Sequence, residues 1–296
     1  MRPLNLLFYG ASGQLGQGFE KIFTSHQQRY KVTPMSVVLP ETSSAEASHH
    51  SPDVILNAAA YTDVTGAELD PVQAMRVNGE GVAQVAALAK LHDALLVHFS
   101  TDYVFDGSGH CPWQESDLPA PLNIYGQSKL AGEQAILASG CRHLIIRTSW
   151  LHSPWRDNFL KTMLRLAQRH DELRVVCDQV GAPTSAVMLA DVTIKAIAKV
   201  MKEPKLGGLY HVAASGAVSW YDYARFIFNE AYALGLIDKL PQLKPITSID
   251  YGGVVTRPLN SRLDTERFQH TFGLILPDWQ QGVITTLQAL LRIRSS

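Results

Sequence analysis

The chain has 296 residues, of which 46% are hydrophobic and 18% charged, and its formal net charge is -1. These values are typical of a globular protein and give no attraction to nucleic acid or to an anionic membrane. The sequence also lacks a signal-peptide pattern and any apolar run of about 18 residues, the length of a transmembrane helix. We expect a cytoplasmic protein with no nucleic-acid or membrane partner.

The first half of the chain alternates between short apolar runs and helical stretches. Apolar runs lie at 4–9, 53–58, 95–100 and 143–148, with a further strand at 30–35. Helices are predicted over 14–25 and 77–91, and another opens at Tyr125. Continuous apolar strands separated by helices are typical of a parallel sheet covered on both faces. We predict a doubly wound parallel sheet, a Rossmann-like α/β fold.

Two tracts depart from this alternation. Residues 38–52 are rich in serine, glutamate and histidine, which predicts a surface loop. After Trp150 the pattern is less regular, with scattered aromatic residues and prolines that indicate a smaller second lobe. We predict a Rossmann domain of residues 1–149 with parts of 180–207 and 240–257, and a second α/β lobe of 150–179, 208–239 and 258–296.

A glycine-rich loop over 10–16 follows the first strand and opens a helix. Its glycines would permit a tight turn, a close approach to a pyrophosphate and close packing of helix on strand, while the helix N-terminus attracts the anion. The spacing differs by one residue from the usual fingerprint, and a glycine-rich turn can also be purely structural. Its place in an α/β chain favours a bound nicotinamide dinucleotide, held by Gly10, Ser12, Gly13, Gln14, Leu15 and Gly16.

The sequence leaves the choice between NADH and NADPH open. An acidic residue at the end of the second strand would bind the ribose of NAD, and a basic residue would accommodate the phosphate of NADP. Met35 and Ser36 occupy that place, and neither is charged.

Tyr125 and Lys129 are four residues apart at the start of a predicted helix, so their side chains share one face, with Cβ atoms roughly 5–6 Å apart. A proton donor that works near neutral pH needs a pKa below the ordinary ~10 of tyrosine, and a nearby positive charge supplies such a shift. The same spacing is common on solvated helix faces. The pair is a catalytic candidate whose meaning depends on the rest of the chain.

Short motifs in a fixed order run nearly the whole length of the chain. They lie at 57–62, 100–105, 121–126, 129–133, 147–150, 181–184, 208–211, 257–258, 260–263 and 276–279. Together they resemble the extended short-chain dehydrogenase/reductase family, most closely its dTDP-4-dehydrorhamnose reductases. The resemblance implies that the chain reduces the 4-keto group of dTDP-4-dehydro-L-rhamnose to dTDP-L-rhamnose with NADH or NADPH, and that the second lobe binds the sugar nucleotide.

The resemblance also assigns roles to single residues. Tyr125 would donate the proton, Lys129 would hold the nicotinamide ribose and lower the pKa of Tyr125, and Thr101 would hydrogen-bond the same substrate oxygen. Further substrate contacts would be Asp102, Trp150 and Arg257, the last to the diphosphate, and the turn at 181–184 would shape the sugar pocket. Additional residues expected to border the cofactor are Ala60, Tyr61, Thr62 and Phe99. The alternatives are that Thr101 caps a strand, that Phe99 and Trp150 are packing residues and that Arg257 lies on the surface.

The sequence gives no reason to expect a metal site. Three cysteines at 111, 141 and 177 are too far apart for a zinc site or a disulfide framework. Some relatives dimerise through magnesium held by glutamates, but the aligned positions are Gly18, Val187 and Ala289, which offer no carboxylate. A homodimer, if it forms, is expected to lack that metal bridge.

Three other functions are alternatives to reduction. A 4,6-dehydratase would carry an acidic residue directly after Asp102, where this chain has Tyr103. An epimerase can use a similar tyrosine–lysine pair and stays open. A non-catalytic partner resembling the regulatory subunit of methionine adenosyltransferase is disfavoured because Thr101, Asp102 and Trp150 suit a working sugar-nucleotide pocket.

Overall fold

The computed structural model describes residues 2–35 and 51–294. Ser36 and residues 38–50 of the predicted loop at 38–52 lie outside the described residues. The strands are β1 (Leu4–Tyr9), β2 (Tyr30–Met35), β3 (Val54–Asn57), β4 (Leu95–Thr101), β5 (His143–Thr148), β6 (Leu151–His152), β7 (Glu172–Val176), β8 (Val180–Gly181), β9 (Thr184–Ser185), β10 (Gly208–His211), β11 (Val218–Ser219) and β12 (Gln242–Ile246).

Helices separate most of these strands. The α-helices are Gln14–Ser25, Val64–Leu69, Pro71–Met75, Gly81–Leu91, Ile124–Ser139, Phe159–Ala167, Ala186–Val200, Trp220–Ala233, Ser248–Tyr251, Glu266–Phe272 and Trp279–Arg294. A π-helical turn covers Arg76–Glu80, and 3-10 turns cover Asp102–Val104 and Pro204–Leu206. Within the described ranges, no helix has both the length and the apolar character needed to cross a membrane.

The central sheet has six strands in the order β10-β5-β4-β3-β1-β2, and each neighbouring pair is parallel. Successive side chains of a strand point to opposite faces. Accordingly, Leu6 and Phe8 join the core beneath Gln14–Ser25, whereas Leu7 and Tyr9 join the core beneath Gly81–Leu91. Helices therefore cover both faces, and the predicted doubly wound α/β fold is confirmed.

A second hydrophobic core lies outside the six-stranded sheet. Helices Phe159–Ala167, Trp220–Ala233 and Trp279–Arg294 enclose it, and β7 and β12 pair in parallel at its edge. The structure places β10, which the predicted boundaries assign to the second lobe, beside β5 in the central sheet. The division of the chain into a cofactor domain and a substrate lobe stays a prediction.

The predicted helix at 77–91 has a different beginning in the structure. Two short helices, Val64–Leu69 and Pro71–Met75, precede a π-helical turn, and regular α-helix starts only at Gly81. Asp63 and Asp70 cap the two short helices by accepting hydrogen bonds from backbone N–H groups. The two capped helices lie before the alanine-rich stretch, on which the predicted helix at 77–91 rests.

Candidate active site

Two cavities, of about 600 Å³ and about 540 Å³, open at the carboxyl ends of the central strands. This is the edge at which doubly wound sheets bind ligands, because loops leave neighbouring strands in opposite directions there. The cavities share the residues Gln14, Thr62, Thr101, Asp102, Tyr125, Trp150 and Leu151. Two ligands can therefore meet at Tyr125 and Thr101.

The smaller cavity contains the glycine loop. Gly10 has φ +83°, and a Cβ atom there would lie 2.4 Å from the backbone nitrogen of Ala59. A Cβ atom at Gly16 would lie 2.1 Å from the carbonyl oxygen of Gly10, so this glycine serves packing inside the loop. Gly13 caps Gln14–Ser25 without a side-chain hydrogen bond, which leaves first-turn N–H groups for an anion.

Most of the predicted cofactor residues line this smaller cavity. They are Gly10, Ser12, Gly13, Gln14, Leu15, Ala60, Thr62, Phe99, Tyr125 and Lys129. Gly16 and Tyr61 do not line it. The backbone of Tyr61 is instead held by Asn78, which accepts from its N–H at 2.8 Å and donates to its carbonyl at 3.0 Å.

Buried hydroxyl groups in the smaller cavity fit a polar ligand. Ser100 Oγ and Thr148 Oγ1 have no hydrogen-bond partner within the described part of the chain, and both residues line this cavity. Buried polar atoms are normally paired, so unpaired ones at a cavity wall indicate where a ligand or water would bind. Together with the first-turn N–H groups after Gly13, these hydroxyls make the cavity suitable for a dinucleotide with a polar nicotinamide end.

Lys129 is buried between the strands and the cavity. Its Nζ atom donates to the carbonyl oxygen of Phe99 at 2.6 Å and lies 3.5 Å from His98 Nε2. Burial lowers the pKa of Lys129 to about 8, against an opposing effect of the Glu133 charge. The contact with Phe99 fixes the ammonium group at the cavity wall.

Tyr125 lies at the junction of the two cavities. Burial raises the pKa of Tyr125 above its ordinary value, the Asp102 charge raises it further, and a hydrogen bond with Thr101 opposes both. This direction is opposite to the predicted lowering by Lys129, whose ammonium group is held by the Phe99 carbonyl. A raised pKa favours the protonated phenol, which is the form that a proton donor needs.

Asp102, Tyr103 and Arg257 form a polar chain beside Tyr125. Thr101 Oγ1 donates to Asp102 Oδ1 at 3.0 Å, and burial raises the pKa of Asp102 to about 6. The ring of Tyr103 packs edge-on against Tyr125 at a centroid distance of 5.8 Å. Burial raises the pKa of Tyr103 to about 12, against the charge and hydrogen bond of Arg257. Predicted substrate residues Asp102 and Arg257 thus lie in one wall of the larger cavity.

Trp150 forms another wall of both cavities. Its backbone has φ +46°, and its ring stacks on Trp220 at a centroid distance of 3.5 Å and an angle of 9°. The Trp150 ring also lies against Gly181, where a Cβ atom would be 2.6 Å from Trp150 Cε2. Gly181, at the start of the motif at 181–184, therefore makes room for the Trp150 ring.

The comparisons with known proteins agree with this geometry. The family model described as RmlD substrate binding domain matches residues 4–292. The chain belongs to this family. The dTDP-4-dehydrorhamnose reductase of Escherichia coli K12 is 43% identical and aligns with 97% of this chain and 98% of its own length. The family resemblance predicted from the motifs is thereby confirmed.

Solved structures of similar proteins have the same fold. A dTDP-4-dehydrorhamnose reductase of Clostridium acetobutylicum superposes with a TM-score of 0.87 at 34% identity, covering 97% of this chain and 99% of its own. The dTDP-4-dehydrorhamnose reductase of Bacillus anthracis, solved in complex with NADP, superposes with a TM-score of 0.86 at 32% identity, with coverage of 97% and 99%.

No role was predicted from the sequence for Asn78, which supports the helix that carries Tyr125. Asn78, in the π-helical turn, donates to Ser128 Oγ at 2.9 Å while holding the backbone of Tyr61. Ser128 belongs to the helix that carries Tyr125 and Lys129. π-Helical turns occur often at functional sites, but an irregular turn of this kind leaves no periodic signal in a sequence.

Replacing Gly181 by alanine is expected to destabilise the protein by about 1–3 kcal/mol, the usual cost of overpacking. The added methyl group would overlap Trp150, whose ring is also packed against Trp220 and so has little room to move. Urea denaturation measures this cost. In a Trp150→Ala background the same substitution should cost much less, and an equal cost in both backgrounds would contradict the assigned clash.

Proposed function

We propose that this chain reduces the 4-keto group of dTDP-4-dehydro-L-rhamnose to dTDP-L-rhamnose, using NADPH or NADH. The observation that carries the proposal is the meeting of two cavities at Tyr125 and Thr101, one with a glycine loop and one with Trp150 and Arg257. The names of the E. coli and B. anthracis relatives, and the NADP complex of the latter, support the same substrate and cofactor class.

The smaller cavity would hold the nicotinamide dinucleotide. The N–H groups after Gly13 would bind its pyrophosphate, and the unpaired hydroxyls of Ser100 and Thr148 would face its nicotinamide end. When bound, this cofactor supplies the hydride. Lys129, fixed by the Phe99 carbonyl, would present its ammonium group to the nicotinamide ribose.

Tyr125 would donate its phenolic proton to the substrate oxygen as that oxygen becomes an alkoxide. Thr101 would hydrogen-bond the same oxygen, and the protonated state favoured by burial keeps Tyr125 ready to donate. Arg257 would face the negative charge of the diphosphate, since a guanidinium group binds such oxygens well. Trp150 and Asp102 would line the space for the sugar.

The test is a stoichiometry assay with the purified chain and the keto sugar, run separately with NADPH and NADH. We expect one cofactor molecule to be oxidised for each sugar reduced, measured by loss of reduced-nicotinamide absorbance and by chromatography of the sugar. A changed sugar without net oxidation would identify an epimerase. No turnover with either cofactor, although both bind, would favour a non-catalytic binding protein.

A further inference from the structure

The glycine loop has a second wall, formed by residues of the loop 153–158. Arg156 Nε donates to the carbonyl oxygen of Ser12 at 2.7 Å. Ser153 Oγ and Asn158 Nδ2 both donate to Gln14 Oε1 at 2.9 Å. Arg156 thereby becomes part of the lining of the smaller cavity, on the side facing the glycine loop.

Arg156 adopts an unusual backbone conformation. Its φ is +52°, in the left-handed region, where an L-amino acid with a Cβ atom is strained and glycine is not. Strained residues in the wall of a ligand cavity are candidates for a functional role, because the surrounding structure must hold them there. Here the hydrogen bond from Arg156 to Ser12 contributes to that restraint.

The charge of Arg156 has no ion-pair partner among residues 2–35 and 51–294. Its neighbour Asp157 pairs with Arg165 at 2.9 Å instead. Only Nε of Arg156 is used by the Ser12 carbonyl, so the two terminal nitrogens keep donors for another acceptor. The guanidinium group and the uncapped helix start at Gly13 border the same cavity.

We propose that Arg156 binds the pyrophosphate of the nicotinamide dinucleotide, beside the glycine loop. The cofactor class rests on the proposed function. The unpaired buried hydroxyls of Ser100 and Thr148 in this cavity independently indicate a ligand there. The pyrophosphate is favoured over the adenosine phosphate of NADP because Arg156 is tied to Ser12, whereas Met35, at the discriminating position, does not line this cavity.

The experiment measures the Kd of NAD⁺ and NADP⁺ without sugar, by calorimetry, for the wild type and for Arg156→Gly, Arg156→Gln and Arg169→Ala. Arg156→Gln keeps an N–H donor for the Ser12 carbonyl but removes the charge. Arg169→Ala removes an exposed arginine of the same lobe that lines neither cavity. The Tm of each variant is measured alongside.

We expect both Arg156 variants to weaken both cofactors by about 3- to 10-fold, the range for one charge-assisted contact at an accessible site, with a smaller difference at high salt. Arg169→Ala should leave both Kd values unchanged. Arg156→Gly should keep or raise the Tm, because glycine relieves the strain at φ +52°. Weaker binding without lower stability is a result that a merely structural role of Arg156 would not give.

Three outcomes would overturn the proposal. Unchanged affinity in both Arg156 variants would show that Arg156 does not bind the cofactor. A loss confined to NADP⁺ would assign Arg156 to the adenosine phosphate. A loss of affinity in Arg156→Gly but not in Arg156→Gln would show that Arg156 acts only by holding the Ser12 carbonyl. If the wild type binds neither cofactor, the proposed function itself fails, and this proposal with it.

Discussion

Replacing Tyr125 by phenylalanine is expected to lower kcat by about 10²- to 10⁴-fold, the usual contribution of a positioned general acid. The substitution removes only the phenolic oxygen, and the ring can still pack edge-on against Tyr103. Lys129 keeps its hydrogen bond to the Phe99 carbonyl, so the Kd of NADPH should change little. Steady-state kinetics with the keto sugar, together with cofactor titration, measure both effects.

Tyr103→Phe is the matched control, because it removes the same hydroxyl group from the neighbouring ring. Tyr103 and Arg257 both line the larger cavity, and the Arg257 charge opposes the rise of the Tyr103 pKa, so this variant should raise KM for the sugar nucleotide more than it lowers kcat. Substantial turnover by Tyr125→Phe would refute the role of Tyr125. Equal losses of kcat in both variants would show that the Tyr125 hydroxyl contributes no more to turnover than the neighbouring Tyr103 hydroxyl.

The sequence predicted the central architecture well because its signals are local. Apolar runs such as Leu4–Tyr9 and His143–Thr148 are buried strands with the expected bounds, and Gln14–Ser25 is the expected helix. The glycine loop could be predicted for a similar reason, because the backbone of Ala59 lies so close to Gly10 that no side chain fits there. Parallel strands place their carboxyl ends at one edge, which brings Thr101 toward the glycine loop without further information.

The electrostatics of the site could not be predicted from spacing. The four-residue interval between Tyr125 and Lys129 indicates a shared helix face, but the Phe99 carbonyl, 30 positions before Lys129, binds the ammonium group. Burial and Asp102 then set the direction of the pKa shift of Tyr125. The contact between Arg156 and Ser12 spans 144 positions and likewise leaves no sequence signal. Such long-range contacts depend on tertiary packing.

The helix that carries Tyr125 is anchored to the sheet by a buried ion pair. Arg147, on β5, donates from Nε and Nη2 to the two carboxylate oxygens of Glu133 at 2.9 and 2.7 Å. The side chains are only 3% and 1% exposed. The guanidinium group also lies 5.0 Å from the ring centroid of Phe105. Because Glu133 and Lys129 are one helical turn apart, the Arg147–Glu133 ion pair also fixes the position of Lys129 relative to the sheet.

Arg147→Met and Glu133→Gln are each expected to lower the free energy of unfolding by about 3–5 kcal/mol, because each leaves a buried charge without its partner. The double substitution Glu133→Leu with Arg147→Met removes both charges and should recover much of this loss. Lys195→Met is the matched control, since it breaks an exposed pair with Asp191 and should cost no more than about 1 kcal/mol. Urea denaturation of the four variants measures these differences. Single-variant losses as small as that of the control would contradict the anchoring role, because a buried charge left unpaired cannot be screened by solvent as an exposed one is.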